Sequence, residues 1–288
     1  MTPPESPAAV APPTEEERLR QHYDIEKDLA ARLIGASSEE RRELYSSLYD
    51  ELYRRVPWHP QLTRKVAPGE RARMVDHQLD VARPWIRTGA TYLELGPGDC
   101  AFAFLAARTV GSTGRAIGVD VSAEVTRRDD QPENFELVLS DGSSVPVPEG
   151  SVDVAYSNQL MEHLHPEDAE RQLQAVFRAL APGGAYLCTT PNRMSGPHDV
   201  SRSFSDTAEG LHLREYTTGE LAAVFRAVGF TRLQCRVGLK GRYATVGTWL
   251  PRTVEAVLGL LPGGMRRSLA RSRLVEGIIN VRLIGHKP

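Results

Sequence analysis

The spacing of hydrophobic positions changes part-way along the chain. Between Glu15 and about Ile34, Leu19, Tyr23, Leu29 and Leu33 recur near helical spacing, which predicts a helix. Ser37 or Ser38 can cap a second helix reaching about Arg55, with Leu44, Leu48, Leu52 and Tyr53 on its apolar face. Pro57 and Pro60 break the chain, and another helix is expected over roughly 69–87. Short apolar runs then take over. Thr91–Leu95, Ala116–Asp120, Phe135–Leu139, Val152–Tyr156, Ala185–Thr190 and Thr231–Val237 read as strands, with Ile278–Gly285 as the last. Helices are expected from about Ala101, from Pro166 to Leu180 and from Thr217 to Val228. This alternation specifies an α/β fold with a largely parallel sheet covered on both faces.

The organisation follows from these elements. Residues 1–14 are rich in Pro and Ala and form a disordered tail in this reading. Residues 15–88 make a helical extension, or lid, and residues 89–288 make the α/β domain. Two connections, 191–216 and 238–274, are longer than compact domains usually need, and such segments often carry function.

Composition narrows the function. The 288 residues are 41% hydrophobic, enough for a sizeable core, and the net charge of −2 creates no global field for nucleic acid. Three cysteines, Cys100, Cys188 and Cys235, lack the spacing of a zinc site or a secreted disulfide scaffold. The chain starts without a signal-peptide pattern, and no apolar run reaches the ~18 residues that a membrane span needs. A cytoplasmic location is expected. The 238–274 segment differs from the rest. Lys240, Arg242, Arg252, Arg266, Arg267, Arg271 and Arg273 are opposed there only by Glu255, and Trp249, Leu250, Val254 and Leu258 lie among them. Such a segment can lie on an anionic membrane or contact a lipid, or it can simply pack as an amphipathic helix. The oligomeric state cannot be read from these features.

The stretch ELGPGD, at 94–99, sits between an expected strand and an expected helix. Gly96 and Gly98 permit a sharp turn and close approach of a ligand to the backbone. Taken alone it also fits a dinucleotide-binding dehydrogenase, since Gly96-x-Gly98-x-x-Ala101 matches the relaxed form of that fingerprint. The acids around it add information. Glu94 precedes the turn, Asp120 ends the second strand and Asp141 follows the third. A carboxylate at a strand end can accept from ribose hydroxyls or from an adenine amino group at the sheet's switch point.

In order and spacing, ELGPGD, IGVDVS, SDGSSVPVPEGSVDVAYSNQLMEHL and FRALAPGGAYLCTTPN resemble the motifs of class I S-adenosylmethionine-dependent methyltransferases. The resemblance covers about Thr91 to Phe230. It implies a Rossmann-like, doubly wound, mostly parallel seven-stranded sheet with an antiparallel last strand. It also implies that Glu94, Gly96, Gly98, Asp120, Val121, Asp141, Gly142, Asn158 and Gln159 touch S-adenosylmethionine, with Ser157 at the same strand end. A dehydrogenase would explain neither Glu94 and Asp141 nor Pro182-Gly183-Gly184 before the fifth strand.

Methyl transfer to an alcohol requires removal of a proton. His163, His198 and His212 lie in segments that follow strand ends, and they are the candidate bases. The expected reaction is O-methylation of a small metabolite, sugar or glycolipid-type acceptor. Some quinone-biosynthesis and small-RNA 2′-O-methyltransferases carry Glu-x-x-Glu-His near Glu162-His163 and use a divalent cation. Here Gln159 replaces the first Glu, and an amide oxygen is a poorer ligand, so no metal ligand is assigned and a divalent metal is not favoured. Metal-assisted RNA 2′-O-methylation and a non-catalytic cofactor-binding scaffold stand as alternatives.

Overall fold

The structure is a computed structural model that describes residues 13–63, 67–122, 130–239 and 241–288. Most of the expected tail over 1–14 thus lies outside the described residues. Thr14 belongs to a helix instead. Its side chain accepts from the backbone N–H of Glu17, whose carboxylate reaches back to the Thr14 N–H, and this reciprocal cap starts α1 (Glu15–Gly35). Ser37 and Glu40 repeat the device for α2 (Ser38–Arg55). A single turn, α3 (Pro60–Thr63), and α4 (Pro68–Ala82) follow. The α/β unit then runs β1 (Thr91–Leu95), α5 (Ala101–Val110), β2 (Arg115–Asp120), β3 (Phe135–Leu139), β4 (Val152–Asn158), α6 (Pro166–Ala179), β5 (Leu180–Thr190), α7 (Thr218–Val228) and β6 (Arg232–Leu239). It closes with β7 (Arg242–Gly247), α8 (Trp249–Gly259), α9 (Gly263–Ala270), α10 (Arg273–Ile279) and β8 (Val281–His286).

The sheet order is β3-β2-β1-β4-β5-β8-β6-β7. β1 to β5 pair in parallel, while β8 runs antiparallel to both β5 and β6. The doubly wound class is therefore as expected, but the sheet has eight strands rather than seven. The extra strand, β7, pairs antiparallel with β6 inside the segment that the sequence marks by its charges. The last strand also starts later than expected, because Ile278 and Ile279 finish α10 and Ile279 is buried among Leu258 and Ala270.

Apolar side chains cover both faces of the sheet. Leu93, Ile117, Val176, Phe225 and Leu283 lie in one cluster, with α6 and α7. Tyr92, Phe104, Ala116, Tyr156 and Ile284 lie in the other, with α4 and α5. Strand order reverses between β1 and β4, so a crevice opens at the carboxyl ends of these strands.

The two N-terminal helices cover that end. Ile25, Leu29, Leu48 and Leu52 pack with Leu211, which belongs to the connection after β5. Arg41, 2% exposed, ties α2 to α6. Its Nε donates to Asp168 at 2.5 Å, and a second nitrogen reaches the same carboxylate at 3.1 Å. The Tyr45 hydroxyl donates to Asp168 at 3.0 Å and accepts from the His165 N–H at 2.9 Å. Removing one member of a buried ion pair strands the other. Arg41→Ala is expected to destabilise the protein by about 3 kcal/mol in denaturant unfolding, and a loss within error of zero would show that α2 is not anchored there.

Candidate active site

The glycine turn is built from left-handed backbone. Gly96 (φ 61°), Gly98 (φ 53°) and Cys100 (φ 58°) all adopt it, and Cys100 is the residue that opens α5. These angles bend the chain sharply where α5 begins, and the Ala101 N–H there donates to Asp99 at 2.9 Å. A Cβ on Gly96 would lie 3.2 Å from Leu160, whereas one on Gly98 would meet nothing within 4 Å. The space over Gly98 is open to a ligand.

The three acids differ in state. Glu94 is 4% exposed and accepts from the Tyr92 hydroxyl at 2.9 Å; burial pushes its carboxyl up to about 8. Asp120 Oδ1 accepts from the N–H of Val121 at 2.7 Å and of Ser122 at 3.2 Å, and burial raises this carboxyl too. Asp141 is committed more locally. Its Oδ1 accepts from the backbone of Ser143 and Ser144 and from the Ser143 hydroxyl, and Arg42 of α2 pairs with it at 3.2 Å. Gly142 lies against α2 as well, since a Cβ there would come within 2.9 Å of Tyr45. At the end of β4, Ser157 is fully buried and its hydroxyl bonds Tyr186 at 2.7 Å, inside the core. Asn158 is partly buried and Gln159 is exposed with φ 55°. These residues fit an adenosyl group. A left-handed turn with room above it lies beside carboxylates at the ends of β1 and β2.

The three candidate histidines come together through one carboxylate, Glu215. His212 Nδ1 lies 2.9 Å from Glu215 Oε1, and His198 Nδ1 lies 3.3 Å from Oε2. The His198 backbone N–H also donates to Oε1 at 2.7 Å. Burial would raise the Glu215 carboxyl, but the hydrogen bonds from His198 and His212 outweigh it and hold the group at about 2. An ionised carboxylate only accepts, so His212 carries its proton on Nδ1 and turns Nε2 the other way. His163 stacks edge-on to His212 with centroids 4.8 Å apart. Its Nδ1 donates to the Leu211 carbonyl at 2.9 Å, and burial drives this imidazole down to about 4, so it is neutral. For His212, burial opposes the charged form, but Glu215 and Glu162 outweigh it and raise the ring. Glu162 is fully buried and its carboxyl sits at about 7, because burial outweighs His212 and the Thr190 hydroxyl that donates to it at 2.9 Å.

Tyr49 of α2 reaches the histidines. Its hydroxyl lies 3.3 Å from His163 Nδ1, and Asp120, Glu26 and Glu162 all act on it electrostatically. It therefore stands between the end of β2 and the histidines. Three residues here had no sequence signal: Glu26, whose carboxylate holds the Leu211 N–H at 3.2 Å, Arg42 and Tyr45. Each comes from a helix whose pattern reports only its own apolar face.

A family model described as "Methyltransferase domain" matches residues 69–234. The chain belongs to this family, within the class I S-adenosylmethionine-dependent methyltransferase superfamily. Its relatives vary in acceptor. An arsenite methyltransferase of Halobacterium salinarum is 30% identical over 152 residues, covering 51% of this chain and 38% of the relative. A "probable S-adenosylmethionine-dependent methyltransferase" of Mycolicibacterium smegmatis is 34% identical over 31% of this chain and 32% of its own. The methyltransferase thus spans well under half the length of these two curated relatives. A solved structure from Thermotoga maritima, described as a possible histamine N-methyltransferase, aligns with TM-score 0.50 at 17% identity. It covers 76% of this chain and 94% of its own, a likeness of fold.

The Glu94 carboxyl gives this site a measurable signature. Folding raises its pKa from 4.5 to about 8, so the folded state binds the proton more tightly than the unfolded chain. The stability this gives is complete below pH 4.5 and lost as pH rises through about 8. Glu94→Gln keeps an acceptor for Tyr92 but cannot titrate. Its melting temperature without cofactor should fall less than that of the wild type between pH 5 and 8. Parallel slopes would place the buried proton elsewhere.

Proposed function

We propose that this methyltransferase methylates a hydroxyl oxygen of a small-molecule acceptor, a sugar or glycolipid-type molecule, with S-adenosylmethionine as donor. The observation that carries this is the cluster of Glu162, His163 and His212 beneath Tyr49. Its imidazoles direct both Nε2 atoms away from the carbonyl and carboxylate that hold their Nδ1 protons.

The donor supplies an electrophilic methyl group on a sulfonium, and the thioether that leaves is neutral. The chain's own work is therefore to position the acceptor and take up its proton. The turn at Gly96–Gly98 and the carboxylate of Asp120 hold the adenosyl end. Tyr49 and Tyr53, with ring centroids 6.1 Å apart, wall the acceptor side and keep out water. The hydroxyl proton goes to the Glu162–His163–His212 group. Glu215 positions His212, and His198 steadies Glu215 from its other oxygen.

The glycolipid option has separate support. Trp249 and Val257 of α8, and Leu260 just after it, are 67%, 56% and 85% exposed. Met265 and Leu269 on α9 are 60% and 45% exposed, and Arg252, Arg271 and Arg273 are exposed among them. Apolar side chains beside unopposed arginines suit the surface of an anionic bilayer. No described helix is long and apolar enough to cross a membrane.

Two experiments test these readings. Asp120→Ala should weaken binding of S-adenosylhomocysteine by at least about tenfold in calorimetry, as a charge-assisted contact is lost. His212→Gln should leave that affinity intact but lower kcat with hydroxylated acceptors by ~100-fold. Unchanged turnover in His212→Gln would rule out a role in proton transfer. Separately, vesicles of phosphatidylglycerol and phosphatidylcholine should sediment the wild type more than Leu260→Asp, with the difference shrinking in high salt. Equal sedimentation would remove the lipid contact.

A further inference from the structure

Three arginines among the described residues are buried: Arg41, Arg236 and Arg282, at 2%, 7% and 8% exposure. Their partners differ in kind. Arg41 meets the Asp168 carboxylate. Arg236, on β6, donates from Nε and Nη2 to the carbonyls of Val81 and Asp80 in the last turn of α4, at 3.1 and 3.0 Å, and from Nη1 to the Thr245 hydroxyl at 3.2 Å. It caps a helix end whose carbonyls lack partners within the helix. Arg282, on β8, makes one hydrogen bond, from Nη1 to the Gly277 carbonyl of α10 at 3.5 Å, and its carbon head lies 5.4 Å from the Tyr243 ring centroid. A guanidinium carries five N–H donors, so most of those on Arg282 meet no acceptor among the described residues. No carboxylate among those residues pairs with it either.

A buried cation without a counter-charge is costly. Burial depresses the pKa of Arg282 and of Arg236, Arg282 depresses Arg236 further, and burial and Arg282 together hold the His77 imidazole down. Glu276 opposes this only from beyond ion-pairing distance, so the local field is positive. The strand register shows where that field lies. Arg282 stands directly opposite Thr189 of β5, and Thr189 directly opposite Asn158 of β4. Opposed residues share a face of the sheet, so these three polar side chains form one row at the carboxyl ends of β4 and β5. The buried Thr189 hydroxyl has no hydrogen-bond partner among the described residues, and Asn158 is partly exposed. Thr190, the next residue along β5, belongs to the other face and donates to Glu162. The row and the Glu162 group therefore lie on the two faces of one strand end. β8 is the third strand from β1, about 14 Å from the glycine turn at ordinary sheet spacing.

We propose that Arg282, with Thr189 and Asn158 beside it, binds a carboxylate carried by the acceptor. A carboxylate accepts two parallel N–H bonds from one guanidinium and has lone pairs left for a hydroxyl or an amide. One unpaired buried cation matches one negative charge. A phosphate dianion would need a second cation, and Arg236 is committed to α4. The acceptor class selected is an acidic sugar, free or as the head of a lipid, rather than a neutral one. This rests on the proposed hydroxyl methylation for the identity of the reacting atom: the carboxylate is held on one face of the β5 end while the hydroxyl is presented on the other. Arg282 selects and positions the acceptor and takes no part in the transfer of the methyl group.

The test uses the full chain with S-adenosylhomocysteine bound, and two probes that differ by a carboxylate in place of a hydroxymethyl group, methyl glucuronide and methyl glucoside. In calorimetry the glucuronide should bind at least about tenfold more tightly. Arg282→Met should abolish that preference and leave affinity for S-adenosylhomocysteine unchanged. Exchange of a buried, unpaired cation for an apolar chain is neutral or stabilising, so Arg282→Met should melt no lower than the wild type. Equal affinity for the two sugars, binding of neither, or a preference that survives in Arg282→Met overturns the proposal. Weaker binding of S-adenosylhomocysteine by Arg282→Met would assign the guanidinium to the donor's own carboxylate, and a lower melting temperature would make it a structural residue; either result overturns the proposal too. Methylation of hydroxyls on neutral and acidic sugars alike would remove the carboxylate site and leave the reaction standing. A protein that binds the glucuronide through Arg282 but methylates only nitrogen or carbon would do the opposite.

Discussion

A single ionised carboxylate inside the protein organises the connection after β5. Glu215 is 7% exposed, yet its two oxygens hold two imidazoles and a backbone N–H. A charge at that depth is tolerable only because both oxygens meet donors. In return it fixes the tautomer of His212. The chain enters this region from β5 through Asn192, which bonds Glu255 of α8 at 2.7 Å and the Ile279 carbonyl at 2.7 Å. It leaves through the Thr217 cap of α7. The connection is long because it must cross the end of the sheet and place His198, His212 and Glu215 at one point.

The N-terminal helices are part of the site rather than an appendage. Arg41 and Tyr45 fasten α2 to α6, Arg42 meets Asp141, and Tyr49 reaches His163. Successive turns of one helix therefore touch the loop after β3, a sheet-covering helix and the histidine group. Movement of α2 would alter the Asp141 loop and the histidine group together. The apolar contacts of Leu48 and Leu52 with Leu211 carry the same coupling into the connection after β5.

Much of this was legible from residue order. Alternating strands and helices gave the sheet, and ELGPGD between β1 and α5 gave the turn, because glycine is the residue that most readily supports left-handed backbone. The acids at 94 and 120 lie at strand ends, as the register implied. What escaped were relations between distant segments. The pairing of Arg242–Gly247 with β6 was hidden because a short edge strand and a basic loop share a composition. Nothing local marks Glu215 as the residue whose two oxygens meet both His212 and His198. Asp141 was expected to touch the cofactor; that the N–H groups of its own turn and Arg42 also engage both of its oxygens had no mark in the sequence. The deep burial of Glu162, which lifts its carboxyl to about 7, comes from packing against distant segments that a linear pattern does not record.

The order of strands in the sheet also governs how the molecule assembles. β8 is last in sequence but lies between β5 and β6, and it joins the β6–β7 pair to the rest. A nascent chain must therefore keep a place open beside β5 while the β6–β7 ribbon and three helices emerge from the ribosome. Until β8 arrives, two rows of main-chain amides and carbonyls stay unpaired, and both are able to recruit a strand from another molecule. Final closure of the sheet is a long-range event, and crowding of partly made chains is its natural hazard.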